Sequence, residues 1–310
     1  MNLDPRQTDA FKAVIDTGSF EKAAIQLRLT ASAITQRVRA LEVVVGAPLV
    51  IRTRPCRSTR IGQRVLQYLQ RAALLQSDLA NDLSLLESAP LAISVALNAD
   101  SLGTWFFPAL ASILSGEKIL LDVLVEDQDH TYPLLESGVA AGCVSTEVKP
   151  MRGCSAEPLG AMRYRLVASR GFQEQWFPDG MTRATVSQAP TVCYTVRDTL
   201  QSDFLLARFG LPDGSYPRHQ VPGTDAHFLA VCHGLGYAMI PELLLDSPAA
   251  ARYGLVELAP DHPTDVDLSW HAWQLQSPRL EQLSQRLVKA ARSALRQIDP
   301  APRKRRGSVR

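Results

Sequence analysis

The sequence contains few cysteines, and no two of them are close together. Five occur among 310 residues, an odd number that includes no C-x-x-C motif. This spacing argues against a disulfide-stapled domain and against a zinc site, so we expect no bound metal. The cysteines are Cys56, Cys143, Cys154, Cys193 and Cys232.

Long apolar runs are also lacking. The longest apolar tract, residues 43–51, is interrupted by Gly46 and Pro48. No stretch therefore approaches the roughly 18 residues that a membrane-spanning helix needs. The first residues show no basic segment followed by an apolar one, which is the pattern of a secretory signal. These absences predict a cytoplasmic protein that has no membrane partner.

The common catalytic motifs are missing as well. The sequence contains no G-x-S-x-G, no phosphate-binding Walker loop and no H-E-x-x-H, and Gly234-Leu235-Gly236 is only part of a dinucleotide-binding fingerprint. Cys232 and His233 are adjacent, so their side chains would diverge on a strand and could not act together. We therefore predict that the protein is not an enzyme and needs no cofactor.

The charge of the chain is nearly balanced in total but unevenly distributed. The formal net charge is +2, whereas residues 1–64 hold 11 Lys/Arg against 5 Asp/Glu, a net charge of +6. The last eight residues, 303–310, add +5, which leaves −9 for residues 65–302. A basic head on an acidic body predicts that the head binds a polyanion. The basic tail by itself is more typical of a solvated, disordered end.

Residues 5–45 show the pattern of three short helices. Gly18 ends the first, and Ser19 and Thr30 are in position to cap the second and the third. In the third helix, Ile34 and Val38 share one face with Leu41, which predicts that this face is buried. The opposite face carries hydroxyl, amide and guanidinium groups: Ser32, Thr35, Gln36 and Arg39. Such side chains can bond base edges in the major groove of DNA.

A short β-rich hairpin is predicted after Gly46 and Pro48. Residues 49–60 contain four arginines, which are suited to lie along phosphates. These are Arg52, Arg54, Arg57 and Arg60. A polar helix face alone is more often a solvated surface. Three helices followed by an arginine-rich wing instead favour binding to double-stranded DNA.

The segment between residues 61 and 87 lacks proline and contains one glycine, Gly62. Its apolar side chains recur at spacings of four and three, which predicts a helix with a heptad seam. The seam positions are Val65, Leu69, Ala72, Gln76, Leu79, Leu83 and Leu86. The alternative is an amphipathic helix packed on its own domain. A partner chain is favoured because a helix of this length, roughly 40 Å at about 1.5 Å per residue, exceeds what a small domain can cover. A dimer also supplies the two-fold symmetry of a palindromic operator.

From residue 91 onward, strands alternate with helices, which predicts mainly parallel sheets with a ligand site at the carboxyl ends of the strands. Polar residues follow three of these strands: Asn98, Asp100 and Ser101; Glu126, Asp127 and Asp129; Ser145 and Thr146. Ser101 could donate to an α-carboxylate, whereas three carboxylates together favour a cation. If the loop after the second strand were extended, Asp127 and Asp129 would share one side. The alternative for the acidic loop is a solvated turn.

The head resembles the N-terminal signature of LysR-type transcriptional regulators. The resemblance lies in F-x8-F-x2-A-A-x2-L-x2-T-x-S-A-x-T-x-R-x3-L-E-x3-G-x2-L-x2-R, read from Phe11 to Arg52. The sequence departs from the family pattern at Ala31, where Gln or Pro is frequent, and at Val50, where Phe is usual. By this resemblance, the DNA contacts are Ser32, Thr35, Gln36, Arg37, Arg39, Arg52, Arg54 and Arg57.

The resemblance covers the whole chain and implies its domain organisation. It predicts an all-α winged helix-turn-helix head, a linker helix, and an α/β effector domain of two periplasmic-binding-protein-like subdomains that hold a ligand between them. The implied boundaries are 1–60 for the head, 61–89 for the linker, 90–300 for the effector domain, with subdomains at 91–163 plus 268–300 and at 164–267, and 301–310 for the tail.

Further motifs resemble the LysG/ArgP branch of this family. They are Asn98–Ser101, Glu126–His130, Arg52–Arg57, Met162–Arg170 and Trp270-x-x-Trp273. This branch implies a dimer or tetramer that senses lysine or arginine and controls the export of basic amino acids, with RNA polymerase as a further possible partner. The alternative hypothesis is a solute-binding or nucleoid-associated DNA-binding protein that responds to no effector.

Overall fold

The computed structural model describes residues 3–83, 91–116, 119–195, 198–274 and 276–297. The predicted tail at 301–310 and the seam position Leu86 lie outside these ranges. The head and the linker consist of α1 (Pro5–Thr17), α2 (Phe20–Gln26), α3 (Ala31–Val45), β1 (Val50–Ile51), β2 (Arg57–Ser58) and α4 (Arg60–Asp82).

The helices of the head begin and end at capping residues. The Ser19 hydroxyl accepts from the backbone N–H groups of the first turn of α2, and the Thr30 hydroxyl accepts from Ala33 N. Both caps agree with the prediction from the sequence. Gly18 ends α1 at φ +65°, where a side chain would be strained and would also meet Pro55.

The core of the head lies between α1 and α3. Phe11 and Val14 of α1 are fully buried, as are Ile34, Val38 and Leu41 on the predicted inner face of α3. Burial of each side chain of this size contributes about 1.5–3 kcal/mol. Since one face of α3 supplies this core, its other face stays available at the surface.

The wing is tied to the end of α3. Val50 pairs with Ser58 in the antiparallel β1–β2 ribbon. The Glu42 carboxylate accepts from Leu49 N at 2.8 Å, and so holds the start of the ribbon against α3. The guanidinium of Arg52 lies 4.8 Å from the centre of the Phe20 ring. The three helices and the wing are therefore held as one unit.

Helix α4 changes its surroundings along its length. Val65 and Leu66 are buried in the core of the head, whereas Leu79 and Leu83 are 58% and 54% exposed. The start of the helix therefore packs on its own head, whereas the later leucines are uncovered within one chain, and the heptad seam with a partner chain stays a prediction. Between these regions, the Gln67 amide donates to the Glu136 carbonyl.

The body is built from short helices around a sheet. Its elements begin with β3 (Leu91–Leu97), α5 (Ala99–Ser101), a π-helical turn (Leu102–Phe106), α6 (Phe107–Gly116), β4 (Ile119–Val125), α7 (Tyr132–Glu136), β5 (Gly142–Ser145), β6 (Cys154–Ala168), α8 (Arg170–Trp176) and α9 (Arg183–Gln188). They continue with β7 (Thr191–Cys193), α10 (Leu200–Phe209), β8 (Arg218–Gln220), α11 (Thr224–Cys232), β9 (Ala238–Pro241), α12 (Glu242–Leu245), α13 (Pro248–Ala251), β10 (Val256–Glu257), β11 (Thr264–Trp273) and α14 (Pro278–Ala294).

Seven strands form one mixed sheet in the order β10-β6-β11-β5-β3-β4, with β9 also paired to β6. Strand β3 is parallel to β4 and β5, whereas β11 is antiparallel to β5 and β6. The prediction of mainly parallel sheets was wrong for the centre of the sheet, because two long antiparallel strands, β6 and β11, run through it. The carboxyl-terminal part of β11 also pairs with β5. The carboxyl-terminal part of β6 also pairs with β9 and β10.

The body has an extended apolar core formed by this sheet and the helices packed against it. Trp270 and Tyr237 are among its largest fully buried side chains, together with Phe106 and Phe177. Helix α14 covers the core with Leu283 and its apolar neighbours. Within the described ranges, none of the helices combines the length and the apolar character that a membrane span requires.

Candidate functional site

The outward face of α3 presents the predicted base-reading side chains. Ser32, Gln36 and Arg39 are exposed, whereas Arg37 is half-buried at the side of the helix. The Thr35 hydroxyl donates to the Ala31 carbonyl at 2.9 Å, which leaves its oxygen free to accept. This face can therefore offer an amide, a guanidinium and a hydroxyl to a base pair.

The wing adds three further cations to the surface of the head. Arg52, Arg54 and Arg57 are all exposed. Arg52 keeps its orientation through the ring of Phe20 at 4.8 Å, whereas the other two extend from the ribbon and its turn. A basic ribbon next to a polar helix face is suited to bind the phosphates that flank a major-groove contact.

A second candidate site is a cavity of about 300 Å³ in the body. It lies at the carboxyl ends of β3 and β4, which is the position that the α/β pattern predicted for a ligand. Its lining consists of Asn98, Ala99, Asp100, Val125, Glu126, Asp127, Gln128, Tyr164, Tyr194, Thr195, Asp198, Leu200, His227 and Met239. We call it the acidic cavity.

Half of the ligand-contacting residues expected from the sequence line this cavity. Those that line it are Asn98, Asp100, Glu126 and Asp127. Those that do not are Ser101, Asp129, Ser145 and Thr146. Ser101 and Ser145 are buried behind the surface, and the Ser145 hydroxyl donates to the Gln128 carbonyl at 3.1 Å.

The loop after β4 explains why Asp127 and Asp129 are separated. This loop turns instead of running extended, because Asp129 N donates to the Asp127 carboxylate and His130 N donates to the Asp127 carbonyl. The Asp129 side chain is exposed and accepts from the Thr146 hydroxyl. The expectation that the two aspartates share one side of the loop was therefore wrong.

Asp100 is the most enclosed carboxylate of the cavity. It accepts from the Tyr164 hydroxyl at 2.8 Å and from the Thr224 hydroxyl at 3.2 Å. Burial raises the pKa of Asp100, and the bond from Tyr164 opposes this shift. The two donors stabilise the charged form of this half-buried carboxylate.

The opposite wall contributes a further carboxylate, Asp198. It accepts from Leu200 N at 3.0 Å, and burial raises the pKa of Asp198. Next to it, His227 Nε2 lies 3.1 Å from the Val192 carbonyl oxygen, and its ring meets the Tyr194 ring edge to face at 6.3 Å. This wall therefore combines one carboxylate with aromatic rings, a combination that suits a cation.

The charge of the acidic cavity is strongly one-sided. Its lining holds four carboxylates, Asp100, Glu126, Asp127 and Asp198, and among the described residues that form it there is no lysine or arginine. Burial also raises the pKa of Asp127, and the neighbouring acids raise it further. Because like charges this close oppose one another's ionisation, a bound cation would relieve their repulsion.

Two family models match the chain on either side of the linker. The model described as a bacterial regulatory helix-turn-helix protein of the lysR family matches residues 5–63, and the LysR substrate binding domain matches residues 92–292. Together they cover most of the sequence. The chain belongs to the LysR family. Its resemblance to that family in the head, and the predicted fold class, are both confirmed.

Relatives of this LysR-family regulator are similar along nearly the full chain. The regulator ArgP of Aeromonas salmonicida is 39% identical over 294 residues, which is 94% of this chain and 98% of that protein. The crystal structure of ArgP from Mycobacterium tuberculosis has a TM-score of 0.80 at 38% identity and covers 96% of this chain and all of its own. Full-length LysG from Corynebacterium glutamicum, with its effector Arg bound, has a TM-score of 0.75 at 32% identity and covers 94% and 99%.

These comparisons confirm the resemblance to the LysG/ArgP branch. As a member of the LysR family, the chain is a transcriptional regulator with a DNA-binding helix-turn-helix. The lining residues that the sequence did not predict as ligand contacts include Tyr164, Tyr194, Asp198 and His227. Tyr194 and Asp198 follow strand β7, so the rule that ligands bind at the carboxyl ends of strands would have found them if it had been applied there.

Proposed function

We propose that this regulator responds to a basic amino acid, arginine or lysine, bound in the acidic cavity. The observation that carries the proposal is the set of four lining carboxylates without a cationic side chain in the same lining. Buried carboxylates without a counter-ion are costly, so a ligand with a positive charge is favoured over a neutral one. The effector Arg bound to the related LysG supports the same ligand class.

The lining also supports an orientation for the ligand. Its cationic groups would contact Asp100, Asp127 and Asp198, which surround the cavity from both walls. A guanidinium can bond a carboxylate through two parallel N–H groups, which suits arginine particularly well. The α-carboxylate of the ligand would accept a hydrogen bond from the neutral amide of Asn98, whose Nδ2 lies 3.3 Å from Gln128 Oε1.

On DNA, we propose that the outward face of α3 reads bases and that the wing binds phosphates. Leu79 of α4 and Leu83, just after the helix, are exposed and would pair with those of a second copy, giving a dimer or a tetramer on a palindromic operator. RNA polymerase is the further partner through which transcription would change. The proposed target is an exporter gene, because a sensor of a basic amino acid is useful where an excess must be removed.

A gel-shift assay on the DNA upstream of the regulator's own gene tests the response. We expect that arginine or lysine changes the affinity or the pattern of the shifted complexes, and that norleucine, whose side chain is neutral, leaves them unchanged. Specific binding that is insensitive to all three amino acids would contradict the sensor function. It would favour a solute-binding or nucleoid-associated DNA-binding protein without an effector response.

A further inference from the structure

The body contains a second cavity, which shares no lining residue with the acidic cavity. It has a volume of about 780 Å³ and lies between α6 with its preceding π-helical turn, α12 and α14. This volume falls within the range of small-molecule sites, roughly 300–1,000 Å³. We call it the α14 cavity.

The floor and the walls of the α14 cavity are mainly apolar. Trp105 and Pro108 line one side, Leu243 and Leu244 the facing side, and Ala290 comes from α14. Trp105 is 4% exposed, and its indole Nε1 has no hydrogen-bond partner among the described residues. Because that nitrogen is itself buried, it is not accessible from the cavity, and Trp105 contributes apolar surface to the lining.

The charge in the lining is entirely positive. Arg286 and Lys289 lie one helical turn apart on α14, and the described residues that line the cavity include no aspartate or glutamate. In the described part of the chain, neither side chain forms a salt bridge, whereas Arg292 near the end of the same helix pairs with Glu157, and Arg296 just after the helix pairs with Glu242. Arg286 and Lys289 are therefore available to pair with an anion in the cavity.

We propose that the α14 cavity binds a small anion with an apolar body, an alkyl or aryl carboxylate. The apolar part would contact the Trp105 side, and the carboxylate would pair with Arg286 and Lys289. Charge disfavours the chain's own last residues as occupants, because 303–310 contain five Lys/Arg and no acidic residue. The anion would touch the helix that carries Asp100, since Thr104 lines the α14 cavity and its hydroxyl donates to the Asp100 carbonyl at 2.6 Å.

Isothermal titration of the full-length protein with octanoate tests the site. We expect saturable binding of one octanoate per chain and weaker binding of the neutral octanamide. The double variant Arg286→Gln with Lys289→Gln removes both charges and should bind octanoate about ten- to a hundredfold more weakly. The variant Ala290→Phe fills the cavity and should abolish binding while leaving both charges in place.

A charge-matched control separates a specific site from general attraction of anions. Arg170→Gln with Arg208→Gln removes two exposed cations that do not line this cavity, and octanoate affinity should stay as in the wild type. No saturable binding to the wild type, or equal binding to the Gln–Gln variant, would overturn the proposal. Light scattering is the second readout: an oligomer that dissociates in the Gln–Gln variant without octanoate would assign this face to a second copy instead.

Discussion

Thr224 donates a hydrogen bond to Asp100 beside the acidic cavity, with 3.2 Å between the two oxygens. Asp100 follows β3 on one wall, and Thr224 is the first residue of α11 on the other. The same carboxylate accepts from Tyr164 on the long strand β6. Because this contact joins segments that are far apart in sequence, it holds the two walls together as well as stabilising a buried charge.

Replacement of Thr224 by valine removes this donor while keeping the size of the side chain. We expect thermal unfolding without ligand to occur at a lower temperature, because a bond to a charged group contributes about 1.5–3 kcal/mol and each kcal/mol corresponds to about 2–4 °C in a domain of this size. Thr224→Ser keeps the hydroxyl and should unfold near the wild-type temperature. Equal midpoints for the serine and valine variants would show that the contact does not stabilise the fold.

The head could be predicted from the sequence because its signals are local. The caps at Ser19 and Thr30 and the buried face of α3 depend on residues within a few turns of one another. The loop after β4 was less predictable. Its turn depends on backbone bonds to Asp127, which period-two alternation does not reveal, so Asp129 was placed on the wrong side.

The opposite wall of the cavity was harder to infer for a different reason. His227 and Asp198 approach Asp100 only through the tertiary fold, and no spacing in the sequence connects these segments. The antiparallel pairing of β6 and β11 was not predicted for the same reason. An alternation of strands and helices indicates parallel neighbours but does not show which late strand returns to the centre of the sheet.

Binding of arginine should release protons at mildly acid pH. Burial raises the pKa values of Asp100, Asp127 and Asp198 above the ordinary value of 3.8, so without ligand these groups keep protons at a pH where exposed aspartates have lost them. A bound cation favours the charged carboxylates and expels those protons, so affinity should fall as the pH is lowered toward the raised pKa values of these aspartates. Calorimetry in two buffers of different ionisation enthalpy measures the release directly.

The same buried aspartates also determine the direction in which the stability of the ligand-free protein changes with pH. An acid whose pKa is raised on folding holds its proton more tightly in the folded state, so its stabilising contribution is present below 3.8 and declines as the pH rises through the raised pKa. Asp127→Asn should reduce both this decline and the proton release. Identical observed binding enthalpies in both buffers at acid pH would contradict the assignment.

Substitutions on the head should separate base reading from phosphate binding. Gln36→Ala and Arg39→Ala each remove a base contact and should cost about 1–3 kcal/mol on the operator, with little effect on random DNA. Arg54→Ala in the wing should weaken binding to every sequence and make the salt dependence less steep by a slope of about 1. Fluorescence anisotropy with both DNAs at several salt concentrations provides the measurement. If Gln36→Ala weakens both DNAs equally, the outward face of α3 does not read bases.

The two exposed leucines at and just after the end of α4, Leu79 and Leu83, should carry dimerisation. Leu79→Asp together with Leu83→Asp would place two charges per helix in the proposed seam, so light scattering should report monomers and operator binding should be lost. Both side chains are more than half exposed within one chain, so the subunit itself should stay folded. Leu79→Met with Leu83→Met keeps the surface apolar and should remain dimeric. A dimer that persists in the aspartate variant would place the interface elsewhere.

The turn after β4 provides a matched pair of variants for the acidic cavity. Asp127 lines the cavity, whereas Asp129 is two residues away, carries the same charge, does not line it and accepts from Thr146. Asp127→Asn removes a charge-assisted hydrogen bond and should weaken arginine binding about ten- to a hundredfold. Asp129→Asn should change the affinity for arginine by no more than about twofold, because the attraction between an exposed carboxylate outside the cavity and the cationic ligand is screened by water and salt.

Calorimetry with arginine, lysine and norleucine on these two variants and on Asp198→Asn distinguishes a cation site from a merely polar cavity. Asp198→Asn should weaken the two cationic ligands as Asp127→Asn does, because its carboxylate closes the opposite wall. DNA binding without ligand should be unchanged in all three variants, since the head has a core of its own. Norleucine bound as tightly as arginine by the wild type would refute the basic ligand. Equal losses in Asp127→Asn and Asp129→Asn would instead show that overall negative charge, and not contact within the cavity, attracts the ligand.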